Sequence, residues 1–291
     1  LNLLESLKVT DCSKLKSLEG LPNPNVLGIL SVYSDRRVEV NLSGCSSLKD
    51  IRALKGISKI DDMKLSGCSS ISITDGLENI EIDSLHCTNP DKNLLQNLSN
   101  LKVKTLRLSE MGMTSFEGLK EWESVTTLEV EQANLDDSNQ NKSFKSLLGI
   151  NAFPNIKILC LGNEYSNSCN RLENLTGVEK LKHLEELDLT RCSAMKDVNS
   201  LSELPNLLKL RMDGCIHVEP LPRPKVMENR AQVEKYQLRL LKALGKDIPV
   251  TAKKKSIGSK NNKPSVDKKT FSKIKKLLTA RDINLINQGL E

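Results

Sequence analysis

A short frame of apolar residues recurs along most of this chain, and it constrains the fold more than any other feature. Two copies run from Leu184 to Cys192 and from Leu207 to Cys215, 23 residues apart, with apolar residues at the first, fourth and sixth positions. The first positions of all copies are Leu4, Arg37 (a polar departure), Ile60, Ile82, Val103, Val125, Ile156, Leu184 and Leu207. This recurrence predicts structural repeats, each of which buries its apolar residues against its neighbours.

The spacing within the frame predicts one short β-strand in each repeat. Side chains alternate between the two faces of a strand, so the fourth and sixth positions point to one face and the third, fifth and seventh to the other. Strands of successive repeats are then expected to pair in parallel and to line a polar, concave surface. Phe, Trp and Tyr make up only 3% of the residues, so the interior is expected to be packed with aliphatic side chains.

The nine frames fit the template L-x-x-L-x-L-x-x-N/C-x-x-L and resemble the leucine-rich-repeat family, in particular its internalin and phosphatase-regulator subclass of short repeats. The stretch from Leu42 to Leu48 also looks like the repeats of plant immune receptors. The resemblance covers residues 4–222 and implies an α/β repeat fold, a curved leucine-rich-repeat solenoid with a parallel β-sheet on its concave face and short helical turns on its convex face. Because the family binds many unrelated partners, the resemblance implies a binding module without naming its partner.

Composition and periodicity divide the chain into four parts. These are a repeat domain with nine clear repeats (1–222), a C-terminal capping helix (223–249), a basic flexible linker (250–268) and the truncated start of a helical segment (269–291). Residues 16–36 fit least well: either 26–36 are a truncated tenth repeat, or residues 26–42 form a hairpin around Ser34–Arg37. We expect the chain to be a fragment, because it begins at Leu1 rather than Met and stops inside a helix-like pattern.

The capping helix is predicted over 225–245. Pro224 suits the first position of a helix, and Gly245 suits its C-terminal end. Between them, apolar residues at helical spacing form one stripe: Val226, Val233, Tyr236, Leu240 and Leu244. A terminal repeat exposes its apolar interior, and this helix is expected to cover it.

Five of the eight cysteines occupy the ninth position of the frame: Cys12, Cys45, Cys68, Cys192 and Cys215. The other frames have Pro90, Met111, Ala133 and Glu164 there. The resemblance implies that these cysteines are structural turn residues whose side chains bond to buried backbone. Cysteines of adjacent repeats have parallel rather than convergent side chains in such a ladder. We therefore expect free thiols and a reducing, cytoplasmic location.

The sequence contains no signature of catalysis. It has no G-x-G-x-x-G, phosphate-loop or H-E-x-x-H motif, and its three histidines, His86, His183 and His217, fall in different repeats. Cys160 is predicted to be exposed on the concave face, but no histidine occupies the same position in a flanking repeat to activate it. We therefore expect a non-enzymatic protein without a cofactor or a metal site.

The concave face is a candidate surface for a protein partner. Its fifth-position row changes from basic to acidic over the first eight repeats, a gradient that would orient a partner of complementary charge. The concave residues predicted to contact the partner are His86, Arg107, Glu129, Cys160, Asp188 and Arg211.

Two adjacent repeats, of 31 and 28 residues, carry insertions at 135–143 and 165–171, placed after the ninth or tenth position. Both loops are expected at one rim, with contacts from Asp136, Asp137, Asn139, Tyr165 and Arg171.

The leading hypothesis is therefore a cytoplasmic, monomeric scaffold that binds a protein partner. Charge gives an alternative, because residues 221–291 carry 18 Lys or Arg and six Asp or Glu, whereas 1–220 carry 25 and 31. The lysine-rich segment 250–276 would attract an anionic surface, either nucleic acid or an acidic membrane. A further alternative is an extracellular recognition module, since N-x-S/T sequons occur at Asn41, Asn97, Asn141 and Asn174.

Overall fold

Ten β-strands form a single sheet in the computed structural model, which describes residues 6–20, 37–132, 144–163 and 169–246. Their bounds are Ser6–Lys8 (β1), Glu39–Asn41 (β2), Lys59–Lys64 (β3), Glu81–Thr88 (β4), Lys102–Ser109 (β5), Thr127–Glu131 (β6), Ile158–Cys160 (β7), Glu186–Asp188 (β8), Lys209–Arg211 (β9) and Val226–Met227 (β10). The strands follow one another across the sheet in sequence order. All neighbours from β1 to β9 are parallel, and β10 is antiparallel to β9. The fold is therefore of α/β character, built on a mostly parallel sheet with few helices.

The register of the sheet matches the frame predicted from the sequence. Each fifth-position residue lies opposite the fifth-position residue of the next strand, from Lys8 beside Asn41 to Asp188 beside Arg211. In the repeats of β2 to β9 the fourth and sixth positions are buried, and all of them belong to one apolar core. A slip of one residue would turn every side chain to the opposite face, so the apolar pattern itself specifies the register.

A left-handed turn follows the strand at the eighth position of most frames. Positive φ angles occur there at Asp11, Gly44, Gly67, Asn89, Glu110, Arg191 and Gly214. Glycine suits this conformation because it lacks a Cβ atom, and Asn or Asp tolerates it better than most residues. Gln132 and Asn163 occupy the same position in the 31- and 28-residue repeats, and neither has a positive φ. The common turn is therefore abandoned in the two repeats that carry insertions.

Four cysteine thiols bond to the neighbouring repeat just after this turn. Each Sγ–H donates to the carbonyl oxygen of the sixth-position residue in the preceding repeat: Cys45 to Val9 (3.2 Å), Cys68 to Leu42 (2.9 Å), Cys192 to Leu161 (3.3 Å) and Cys215 to Leu189 (3.2 Å). These four thiols are buried, Cys12 in the first repeat is exposed, and all eight cysteines are free. Each buried thiol thus satisfies a backbone acceptor and packs as a small apolar group.

A fifth thiol makes the same contact at a position that the frame misses. The frame puts Glu164 at the ninth position of the 28-residue repeat and the extra residues after it. In the structure Cys169 occupies the turn: its amide donates to the Leu161 carbonyl (2.8 Å) and its Sγ–H to the Val130 carbonyl (3.6 Å). The predicted position was wrong, because the extra residues precede the turn cysteine instead of following it.

The segments between the strands pack against the apolar face of the sheet. Among the described residues they include an α-helix, Lys92–Leu98 (α1), that was not predicted from the sequence. Asp91 caps this helix by accepting from the Leu94 amide (2.7 Å). Short 3₁₀-helices lie in four further segments: Arg52–Leu54, Ile150–Ala152, Val178–Lys180 and Asn199–Glu203.

Four of the eight aromatic residues lie close together in one part of the core. Phe116 packs against Phe144 and Phe153, with ring centroids 4.9 and 5.5 Å apart. Trp122 is also buried there, and its Nε1–H donates to the Leu101 carbonyl (2.9 Å). These rings lie in and before the 31-residue repeat, where they supply apolar volume that short aliphatic side chains supply elsewhere.

The helix predicted over 225–245 begins later than predicted. It runs from Arg230 to Ala243 (α2), because the Asn229 side chain accepts from the Gln232 amide (3.1 Å) and caps it there. Pro224 is therefore not its first residue, and the segment that follows Pro224 pairs with β9 as strand β10. Gly245 follows its C-terminal end with a φ of 65°, as a C-terminal glycine would.

Helix α2 buries part of the predicted stripe. Val233, Tyr236 and Leu240 are buried, whereas Val226 and Leu244 are more than a third exposed because the helix does not reach the first and ends before the second. The Gln237 amide donates to the carbonyls of Leu201 (2.7 Å) and Leu204 (2.9 Å). The helix is thus held against the segment that precedes β9.

Three predicted segments lie outside the described residues: 26–36, 250–268 and 269–291. Among the helices that the structure does describe, none is long or apolar enough to cross a lipid bilayer.

Gly162 offers a test of how closely the repeats must approach. A Cβ atom on Gly162 would overlap the backbone of Thr190 in the next repeat, so we predict that Gly162→Ala lowers the free energy of unfolding by about 1–3 kcal/mol. The φ of Gly162 is not positive, so the loss is steric. Chemical denaturation measures it. Gly112→Ala is the matched control, because its Cβ would meet only a side-chain oxygen of Asn89 at 3.0 Å. Equal losses in the two variants would contradict the prediction.

Candidate functional site

The third, fifth and seventh frame positions of β1 to β9 form a polar surface, which we call the strand face. From β1 to β3 its charged side chains are joined in a chain of ion pairs. Lys8 Nζ lies 3.6 Å from Glu39 Oε2, and Lys64 Nζ lies 3.0 Å from Glu39 Oε1. Lys64 Nζ also lies 3.2 Å from Asp62 Oδ2. Each lysine is thereby neutralised by carboxylates of its own sheet.

His86 continues this charge chain from β3 to β6. Its Nε2 atom lies 2.9 Å from Asp62 Oδ1, 3.1 Å from Ser84 Oγ and 3.3 Å from Arg107 Nη1. Arg107 Nε in turn lies 2.8 Å from Glu129 Oε2. His86 lies on the strand face in the predicted row and is partly buried, at the centre of an ion-pair network.

One ring nitrogen of His86 cannot serve all of these neighbours at once. Nε2 accepts from Arg107 and Ser84 only when it carries no hydrogen, and it donates to Asp62 only when it carries one. Asp62 Oδ1 is buried without a hydrogen-bond partner among the described residues, although the ring is 2.9 Å away. An Nε2–H group at this distance would satisfy Asp62 Oδ1, so the position of the ring hydrogen decides whether His86 bonds to that carboxylate or to Arg107.

Burial is the main reason that the pKa of His86 lies below its ordinary value of 6.5. The Asp62 carboxylate acts in the opposite direction and raises this pKa, while the positive charges of Arg107 and Lys64 lower it. His86 is therefore neutral at pH 7, and the charge chain from Lys8 to Glu129 contains three cations and three carboxylates.

A row of hydroxyl groups runs beside the charge chain at the seventh positions. Ser66 Oγ donates to Thr88 Oγ1 (2.9 Å), and Thr88 Oγ1 lies 3.0 Å from Ser109 Oγ, where either hydroxyl can donate. Glu131 continues the row on β6, opposite Ser109 in the register. Glu131 Oε1 accepts from Asn163 Nδ2 at 3.4 Å, and within the described ranges Glu131 makes no ion pair.

The part of the charge chain from Lys64 to Glu129 and the hydroxyl row line a pocket of about 300 Å³ on the strand face. It extends from β3 to β6 and therefore includes the two longest strands of the sheet. Its lining residues are Lys64, Ser66, His86, Thr88, Arg107, Leu108, Ser109, Glu129 and Glu131. Almost all of them carry hydrogen-bonding or charged groups, so the pocket is suited to hold a polar ligand group. In the part of the chain that the structure describes, no three His, Cys, Asp or Glu residues are placed to hold a metal ion.

The pocket contains three of the six predicted concave residues: His86, Arg107 and Glu129. The other three continue the same row in register on β7 to β9: Cys160, Asp188 and Arg211. Arg211 Nη2 lies 3.3 Å from Glu228 Oε1, which follows β10. The predicted row is therefore continuous, but only its first half lines the pocket.

Cys160 is less accessible than the sequence analysis predicted. It is partly buried between its register neighbours Glu129 and Asp188. Burial, followed by these two carboxylates and Glu186, raises the pKa of the Cys160 thiol to about 12. Because the thiolate is the reactive form of cysteine, the raised pKa makes this thiol a weak nucleophile at neutral pH.

The predicted rim contacts fall mostly outside the described residues: Asp136, Asp137, Asn139 and Tyr165. Arg171 is described and is partly buried. Several residues that the structure brings to the pocket or beside it were expected on the concave face but were not among the predicted contacts: Glu39, Asp62, Lys64, Ser66, Thr88, Ser109 and Glu131. A usable signal was present, because all of them occupy odd positions of the frame and the hydroxyl residues follow one another at the seventh position.

Comparison with known proteins gives one distant similarity. The chain is 27% identical over 203 residues to a putative adenylate cyclase regulatory protein of Trypanosoma equiperdum. The match covers 61% of this chain and 31% of that protein, so the chain spans less than a third of the relative's length. No family model matches the chain.

The charge chain predicts opposite shifts in the pKa of His86. Asp62→Asn removes a carboxylate that raises this pKa and should lower it further, whereas Arg107→Gln removes a cation that lowers it and should raise it. Titration of the ring protons by NMR measures both, with His183 and His217 as internal references. Shifts of the same sign in the two variants would contradict the network.

The lowered pKa of His86 also determines whether folding stability rises or falls with pH. Because the pKa of His86 is lower in the folded than in the unfolded chain, its contribution to stability is fully present above pH 6.5. This contribution is lost as the pH falls from 6.5 through the pKa that His86 has in the folded chain. Thermal unfolding from pH 7.5 to 5 measures this loss, which should be smaller in His86→Gln.

Cys12 is predicted to be the one rapidly reacting thiol of the native chain. It is exposed, whereas the other seven cysteines are buried or partly buried. An aromatic disulfide reagent should therefore modify one cysteine quickly and the rest only after denaturation. Cys12→Ser should abolish the fast phase, and Cys160→Ser should leave it unchanged. A fast phase that persists in Cys12→Ser would show that another thiol is accessible.

Proposed function

We propose that this chain is a leucine-rich-repeat solenoid that acts as a non-enzymatic interaction scaffold and holds a protein partner on its strand face. The pocket on β3 to β6 carries the proposal, because two in-register polar rows lie side by side there. We place the protein in the cytoplasm, since a reducing compartment suits eight free thiols.

The distant relative supports a regulatory rather than a catalytic role. Its name describes a putative regulatory protein of adenylate cyclase, and regulation of another protein requires contact with it. Because the chain spans 31% of that protein, we adopt only the general role and not the cyclase as the partner.

The ion pairs of the strand face favour binding because they hold long side chains in place before a partner arrives. Lys64 is fixed between two carboxylates and Arg107 between His86 and Glu129. Ordering a free lysine or arginine side chain on binding costs about 0.5–1.5 kcal/mol. Much of that cost is avoided when neighbouring strands already restrict the side chain.

Charge reversal on the strand face tests the proposal. Arg107→Glu and Glu129→Arg should each reduce capture of the partner from a lysate of the source cell by about tenfold, which corresponds to about 1.4 kcal/mol. The combined swap restores the ion pair but presents the opposite charges to the partner, so capture should remain weak. Quantitative mass spectrometry of captured proteins measures this, with circular dichroism as the check on folding.

The control is a charge swap away from the strand face. Glu173 and Lys196 form an exposed ion pair at 3.1 Å, so Glu173→Lys combined with Lys196→Glu should leave capture unchanged. Full recovery of capture in the Arg107–Glu129 swap would show that the single reversals act on stability alone, and the strand face would then not be the contact surface.

A further inference from the structure

We infer that the strand-face pocket seats a lysine or arginine side chain of the protein partner. This inference rests on the proposed function and adds the chemistry of the group that the pocket recognises. Three observations carry it: the unbalanced charge of Glu131, the spare acceptors of the hydroxyl row, and the prior pairing of the cations that line the pocket.

Glu131 is a carboxylate of the pocket lining that has no ion-pair partner among the described residues. The charge chain balances without it, because Lys8, Lys64 and Arg107 are matched by Glu39, Asp62 and Glu129. The remaining member, His86, is neutral at pH 7. Glu131 also lines the pocket and is partly exposed, and none of the described cations pairs with it. One negative charge therefore remains unmatched in the pocket.

The hydroxyl row offers more acceptors than donors. Three hydroxyl groups carry three protons and six lone pairs. The bonds Ser66–Thr88 and Thr88–Ser109 use two protons and two lone pairs, which leaves one proton and four lone pairs. An ammonium or guanidinium group has only donors, so it complements the row. A carboxylate or phosphate has only acceptors, so it could use the one remaining proton and none of the four lone pairs.

The cations of the pocket are poorly available to an anionic ligand. Lys64 Nζ already lies within 3.2 Å of two carboxylates, and Arg107 Nε lies 2.8 Å from Glu129. An anion would have to displace these carboxylates and would meet the charge of Glu131 as well. A cation meets Glu131 and the hydroxyl oxygens without breaking any bond of the charge chain.

The size of the pocket fits one side chain. Its volume of about 300 Å³ lies at the lower end of the range for ligand pockets, which is about 300–1,000 Å³. A single cationic side chain presented by a folded partner needs no larger space, and the open sheet gives it access from the solvent side of the strand face.

Amide-proton NMR with capped amino acids tests the inference. Nα-acetyl-lysine methylamide and the arginine analogue should cause saturable shifts at the amides of Thr88, Ser109 and Glu131. The neutral norleucine analogue and the anionic glutamate analogue should cause none there. Glu131→Gln should weaken the lysine probe by about threefold to fivefold, as expected when a partly exposed ion pair is lost.

The matched control is Glu121→Gln, the same change at an exposed residue outside the pocket lining, and it should leave the affinity of the lysine probe unchanged. Equal shifts with norleucine, preferential shifts with glutamate, or an unaltered affinity in Glu131→Gln would each overturn the inference. Tenfold tighter binding of spermidine would also overturn it, because a free polyamine and not a protein side chain would then be the occupant.

The two proposals fail in different ways. If the Arg107 and Glu129 reversals abolish partner capture but the lysine and arginine probes do not bind, the strand face remains the contact surface and the cationic side chain is wrong. If the probes bind but the reversals leave capture unchanged, the partner contacts another surface and both proposals are wrong.

Discussion

Hydrogen bonds between short parallel strands are the interaction on which the rest of this structure depends. The amide of each sixth-position residue donates to the fifth-position carbonyl of the next strand, as from Leu42 to Lys64 (2.9 Å) and from Leu161 to Asp188 (2.8 Å). Strands of three residues are not stable alone, so they persist only because both neighbours are in place. The strand spacing of about 4.8 Å that these bonds impose also brings each turn thiol within reach of the preceding repeat.

That spacing explains why the sequence predicted the register so well. A repeating frame shows which residues are equivalent, and equivalent residues of neighbouring repeats lie side by side in the sheet. The row from Lys8 to Arg211 therefore followed directly from aligning the frames with one another. The turn cysteine of the 28-residue repeat was misplaced because a frame counted forward from the strand cannot show on which side of the turn extra residues lie. The start of α2 was misplaced because capping by Asn229 overrode the apolar stripe.

The charge chain lay beyond what the sequence could predict. The frame places Lys64, His86 and Arg107 in one row, but it does not say which carboxylate each contacts, since that depends on side-chain rotamers and on diagonal reach across strands. The lowered pKa of His86 depends on burial, which in turn depends on how its neighbours fold over it. Glu131 was not selected from the sequence, because a sequence does not show which carboxylates lack a cation as an ion-pair partner.

The turn at the eighth position limits where extra residues can be inserted into such a chain. Where that residue is left-handed, the following segment must continue into the stack, and any added length would disturb the thiol contact behind it. Gln132 and Asn163 have left that conformation, and after Asn163 the chain still returns to the stack at Cys169. We therefore expect these two positions to accept a foreign loop without a change in the alignment of the strands.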